Sequence, residues 1–160
     1  MGGMIAARYA QRFGDGLAAT VLSGPVLGRW QAVDDLLGVE EIPDAPIDPA
    51  TLSRDPAVSE AYEADPLVWH GPFKRETVEA LAAALRTITE AGAIEATPVL
   101  WLHGEDDRLV ALDGSAEGWR TLAGSRSEAK TYPGARHEIF NETNRDEVLD
   151  DVIAFVRRWI

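Results

Sequence analysis

Two short stretches carry the side chains that could move a proton. His103-Gly104-Glu105-Asp106-Asp107-Arg108-Leu109-Val110 follows one apolar run, and Tyr132-Pro133-Gly134-Ala135-Arg136-His137-Glu138 follows the next candidate strand. In open parallel sheets the chemistry gathers beyond the carboxyl ends of the strands. A carboxylate after one strand and a histidine after its neighbour can therefore meet. The product is an imidazole base oriented by an acid, the second and third members of a Ser–His–acid triad. A nucleophile is harder to find. There is no cysteine. Neither Ser23 nor Ser115 has a glycine two residues before and two after, so neither fits the strained strand-to-helix elbow that exposes a serine.

The elements that must position these groups alternate. Residues 2–13 have helical spacing, with Ile5, Tyr9 and Phe13 on one face, and Gly14 and Gly16 end the pattern. Leu17–Ser23 reads as a buried strand. Phe73–Ala91 is an amphipathic helix with Val78, Leu81, Ala82, Leu85 and Ile88 at helical spacing. Pro98–His103 and Ser127–Tyr132 are the second and third strands, with a helix near Gly114–Leu122 between them. The last helix runs from about Arg145 to Trp159 with Val148, Val152, Val156 and Trp159 inward. Thr143-Asn144-Arg145-Asp146 before it has the form of a capping box. Such alternation predicts an α/β fold, a three-stranded parallel sheet with helices on both faces. Residues 25–72 differ in character and hold most of the nine prolines. They read as a helical cap or lid insert, with helical patches at Trp30–Leu37 and Ala57–Ala64, between core segments 1–24 and 73–160.

Composition narrows the partners. The 160 residues are 46% hydrophobic and 26% charged, with a net charge of −12. Scattered Lys and Arg under that charge exclude nucleic acid and an anionic membrane surface, and favour a neutral or amphiphilic small molecule. No apolar run is long enough for a membrane span, and Met1-Gly2-Gly3-Met4-Ile5-Ala6 has no basic flank of a signal peptide. The compartment stays open, the cytoplasm favoured. The three histidines are not at ligand spacing, so a metal is not expected.

Gly104-Glu105-Asp106-Asp107-Arg108-Leu109-Val110 resembles the acid turn of monoacylglycerol lipases and bacterial lysophospholipases, members of the α/β-hydrolases. Tyr132-Pro133-Gly134-Ala135-Arg136-His137-Glu138-Ile139-Phe140-Asn141-Glu142 resembles their histidine loop. Ser53–Val58 and Ala64–Gly71 resemble their cap. The resemblance makes Asp107 the acid and His137 the base, in the Ser, acid, His chain order of that fold. It implies a lipid ester of a single acyl chain as substrate and no cofactor. The family's elbow reads G-H-S-M-G-G, and this chain begins Met1-Gly2-Gly3-Met4. Met1 thus matches the residue after the nucleophile, whose backbone N–H forms half of the oxyanion hole. The chain is expected to be the C-terminal part of such a hydrolase, beginning directly after the serine.

Rival assignments stand beside these. Asp106 is the competing acid, or a turn residue or partner of Arg108, and Asp113 reads as a helix cap. His103 reads as a strand end. Glu142 could support the histidine loop or cap the last helix. Trp30, Trp69 and His70 are candidate linings of an acyl pocket. A non-catalytic protein, a dehalogenase with an aspartate nucleophile and a C–C bond hydrolase are the competing functions. Leu17–Ser23 has no lysine or proline, so an unpaired edge there would be a template for self-association.

Overall fold

The computed structural model describes residues 1–44 and 46–160. Three strands, β1 (Thr20–Ser23), β2 (Val99–Gly104) and β3 (Ser127–Tyr132), form a sheet in the order β1-β2-β3. Both pairs are parallel, with Leu22 opposite Trp101 and Gly104 opposite Tyr132. The central strand β2 is buried along its whole length, which explains why its sequence is a continuous apolar run rather than an alternation.

The alternation reappears in what each face touches. Val99 and Trp101 pack with α1 (Gly2–Phe13), α4 (Arg75–Ala91) and α5 (Leu112–Leu122). Leu100 and Leu102 pack with Val148 and Phe155 of α6 (Arg145–Val156). Helices therefore cover both faces. Each of the four presents apolar residues at three- and four-residue intervals, Val78, Leu81, Leu85 and Ile88 of α4 being the longest stripe.

Residues 25–72 hold two further helices, α2 (Gln31–Leu37) and α3 (Pro56–Ala64), and a 3₁₀ turn at Pro49–Thr51. Asp48 and Asp55 start the 3₁₀ turn and α3, each accepting at 3.0 Å from the N–H two residues on, with proline next in the chain. Helix α2 lays Val33 into the core formed by α1 and α4. We propose that this segment is a lid on the sheet-and-helix layer.

Several local expectations change. The first strand is Thr20–Ser23 rather than Leu17–Ser23. The Leu17 N–H instead closes the 3₁₀ turn Gly14–Gly16 on the Gly14 carbonyl, and the ladder opens with the Thr20 N–H on the Pro98 carbonyl. In α1 the face carrying Ile5, Tyr9 and Phe13 is the exposed one. The packed face is Met4, Ala7 and Ala10, the two alanines being small enough to let the helix approach its neighbours closely. No capping box forms at α6. Asn144 is its N-cap without a side-chain cap bond, and the Asn144 amide donates to Glu147. Asp113 lies inside the first turn of α5, where Ala111 is the N-cap.

Candidate active site

The carboxyl ends of β2 and β3 lie side by side, and the loops that leave them touch. Gly104 allows this: a side chain there would strike the carbonyls of Ala135 and Arg136 in the histidine loop. The Asp106 N–H donates to the Ala135 carbonyl at 2.9 Å and the Glu105 N–H to the Tyr132 carbonyl at 3.1 Å. On the other flank Gly24, with φ +50°, backs onto His137. A Cβ there would lie 3.1 Å from the His137 carbonyl oxygen and 3.3 Å from Nδ1. Glycine suits the position twice over, for its left-handed backbone and for the space.

Between these loops Asp107 and His137 meet. The buried Asp107 presents Oδ2 to His137 Nδ1 at 2.7 Å. Its Oδ1 accepts the backbone N–H groups of Leu109 and Val110, each at 2.9 Å. An ionised carboxylate only accepts, which assigns the ring proton to Nδ1 and leaves Nε2 of His137 with a free lone pair. Burial by itself would raise the Asp107 pKa. Hydrogen bonds from His103 and His137, the charge of His137 and the Val110 N–H outweigh it and hold the carboxyl well below the usual range. Asp106 has none of this. It is exposed, and among the described residues it pairs neither with His137 nor with Arg108.

His137 lines an apolar cavity of about 320 Å³ with Met1, Trp30, Val33, Leu36, Phe73 and Leu109 among its walls. The Trp30 indole N–H donates to the Leu109 carbonyl at 2.9 Å, tying this wall to the acid turn. Met1, Trp30, Asp107 and His137 are thus brought together. Trp69 and His70 are not. Trp69 is 74% exposed with its indole N–H on the Pro72 carbonyl, and His70 is exposed against the edge of Tyr62. The turn opened by the Asp65 side chain on the Leu67 N–H carries this stretch outward. No serine hydroxyl among the described residues lies within hydrogen-bonding distance of His137; Ser115 donates to the Pro25 carbonyl and accepts from Trp101 instead.

Behind the histidine loop sits Glu142, fully buried. Its Oε1 accepts from the Arg136 N–H (2.8 Å) and the Arg54 N–H (3.1 Å), its Oε2 from Arg54 Nε (2.8 Å) and the Thr143 N–H (3.0 Å). Burial pushes its pKa up, but the Arg136 N–H, the Arg54 guanidinium and the Thr143 and Arg54 N–H groups together bring it below the ordinary value. The sequence left Glu142 between two roles. The geometry joins it to the loop and, through Arg54, to the segment 25–72. Acidic residues downstream of the histidine were visible in the sequence, but a partner 88 residues upstream was not.

A parallel sheet between helices, with an acid and a histidine at adjacent strand ends, defines an α/β-hydrolase. The chain superimposes on the crystal structure of a monoacylglycerol lipase from Paleococcus ferrophilus with a TM-score of 0.81, covering 99% of this chain and 65% of that one. A soluble variant of the Saccharomyces cerevisiae monoglyceride lipase gives 0.74. At 22% identity each, these carry the fold. The chain belongs to the serine aminopeptidase S33 family, whose model matches residues 1–144. It is 34% identical over 165 residues to a monoacylglycerol lipase of Mycolicibacterium smegmatis, covering 98% of this chain. It spans 59% of the length of that lipase.

Proposed function

We propose that these residues supply the acid and the base of a serine carboxylic-ester hydrolase acting on single-chain lipid esters, monoacylglycerols or lysophospholipids. One observation carries this reading: His137 is held by a fully engaged Asp107 at 2.7 Å and faces an apolar cavity. The attacking serine stands, by the family pattern, one residue before the place of Met1. Its hydroxyl adds to the ester carbonyl while Nε2 of His137 takes the proton. Asp107 holds the imidazole tautomer and stabilises the imidazolium. The backbone N–H of Met1 is a donor to the oxyanion in this scheme. His137 then returns its proton to the leaving alcohol. Trp30 and the apolar walls take the acyl chain, in keeping with the lipid ester named for the mycobacterial relative.

The test is a chimera. The chain placed behind the residues that precede this region in the M. smegmatis lipase should hydrolyse p-nitrophenyl esters and monoacylglycerols. His137→Ala should abolish the turnover, and residues 1–160 alone should show none. Turnover of the chimera that survives His137→Ala overturns the assignment. We propose further that the free edge of β1 pairs with a second copy of the chain.

A further inference from the structure

His103 is the penultimate residue of β2 and is completely buried. It lies on the face of β2 that carries Val99 and Trp101, where an apolar side chain would cost nothing in desolvation. A buried imidazole has to be justified by its hydrogen bonds. Its ring stacks on Trp101, centroids 5.2 Å apart and 22° from parallel. Nε2 lies 2.8 Å from the Val110 carbonyl oxygen. A carbonyl only accepts, so the ring proton is on Nε2. Nδ1 has no partner among the described residues, as suits the bare nitrogen of this tautomer.

The same Nε2 is 3.4 Å from Oδ2 of Asp107. A carboxylate offers about four acceptor positions on its two oxygens. On Asp107, Oδ1 takes the Leu109 and Val110 N–H groups, and Oδ2 takes His137 at 2.7 Å. The His103 N–H points at the Val110 carbonyl, and its nitrogen stands 3.4 Å from Oδ2 beside the remaining position. Val110 is consequently gripped at both ends, its carbonyl by His103 and its N–H by Asp107.

We infer that His103 is a positioning residue for Asp107: its single N–H holds the Val110 carbonyl, its nitrogen lies beside Asp107 Oδ2, and together these fix the rotation of the carboxylate that holds His137. The inference rests on the reading that Asp107 orients His137. With the donor removed, the acid turn loses its anchor to β2 and Oδ2 loses the polar nitrogen beside it. The carboxylate can then swing about Cβ–Cγ, and the bond to His137 opens more often.

The test uses the whole chain with ¹⁵N-labelled histidine and reads the His137 Nδ1–H proton by NMR. His103→Gln keeps a donor near the position of Nε2 and should preserve that resonance. His103→Phe keeps a ring against Trp101 without the donor. Its His137 Nδ1–H should exchange with water roughly five- to tenfold faster, the factor that loss of one hydrogen bond supplies. A folded His103→Phe with unchanged exchange, or a His103→Gln that behaves like it, overturns the inference. Independently of any variant, the ring nitrogen shifts of the unmodified chain must place the His103 proton on Nε2. A proton on Nδ1 also sinks it. Asp107→Asn separates the two levels: a His137 Nδ1–H that survives this change refutes the Asp107–His137 couple itself.

Discussion

Arg54 holds Glu142 with two donors, its backbone N–H at 3.1 Å and its Nε at 2.8 Å, and the same carboxylate holds the N–H of Arg136, the residue before His137. The stretch around Arg54 is stitched to the histidine loop at further points. The Glu138 N–H donates to the Leu52 carbonyl at 2.8 Å, the Ser53 hydroxyl to the Asn141 carbonyl at 2.9 Å, and the Arg136 guanidinium to the Ala50 and Ser53 carbonyls. The loop that carries His137 and the stretch around Arg54 are therefore one mechanical unit.

Glu142→Ala removes the acceptor for three backbone N–H groups and a guanidinium at once. The remaining Arg54 is partly exposed, so the main cost lies in the three N–H groups left unmet, roughly 1–3 kcal/mol for each that water does not reach, and a loss of a few kcal/mol is expected in the unfolding free energy. Arg54→Ala leaves Glu142 with its backbone donors and should cost roughly 1–2 kcal/mol, its side chain being partly exposed. Denaturant unfolding of both variants checks the order. Equal losses would mean that the loop does not depend on the carboxylate.

Acid should destabilise the protein through the same groups. Asp107 and Glu142 both have folded pKa values below the ordinary carboxylate range. Each binds its proton more weakly folded than unfolded. Each therefore contributes stability that is present above the unfolded value of about 4 and lost as pH falls through it toward the folded value. The melting temperature should vary little on account of these groups from pH 7 to about 5, then fall steeply below about pH 4. Glu142→Gln should start lower and show a shallower fall. A melting temperature that rises on acidification below pH 4 contradicts both assignments.

The two acids of the turn separate kinetically. Oδ1 of Asp107 accepts two backbone N–H groups, so in Asp107→Asn the amide oxygen takes that place and the NH₂ turns toward His137. Facing a donor, Nδ1 must give up its proton, and Nε2 acquires one and can no longer accept from serine. In a worked serine protease the corresponding amide costs about 10⁴ in kcat, and a loss of that order is expected in the chimera. Asp106→Asn changes an exposed side chain and should leave kcat within about threefold, as surface changes do. Parallel kinetics on the two variants decide it, and a larger loss at Asp106 would reassign the acid.

What could be read from the sequence follows from how local each signal is. The helix at Gly2–Phe13, the strand Ser127–Tyr132 and the apolar run of β2 are set by contiguous residues, and their types and places were legible. The inward face of α1 was not. Ile5, Tyr9 and Phe13 form the more hydrophobic stripe, but close packing selected Met4, Ala7 and Ala10. That a carboxylate of the Glu105–Asp107 turn would stand near His137 was legible from strand ends and chain order, whereas Asp107 rather than Asp106 was implied only by the resemblance of the turn to the lipase motif. The partnership of His103 with Val110 and Asp107, and that of Glu142 with Arg54, depend on how loops fold back in space, which no spacing encodes.

The edge of β1 leads to the last prediction. The N–H groups of Thr20 and Gly24 point at β2, on the carbonyls of Pro98 and Leu102. In a parallel ladder alternate residues face opposite sides, so the N–H groups of Val21 and Ser23 face the open edge. Beside that edge runs a shallow apolar groove lined by Ile5, Tyr9, Leu17, Ala19 and Val21, with Ile5 60% exposed. The Thr20 hydroxyl is buried there without a partner among the described residues. An apolar edge with no lysine or proline in it pairs readily with another strand. Size-exclusion chromatography with light scattering should find dimers or larger species at micromolar concentration. Val21→Pro removes a donor from the open side while leaving the bonds of Thr20 and Gly24 to β2 in place, and should shift the population toward monomer. A clean monomer in the unmodified chain would show that residues 1–160 close this edge without a partner.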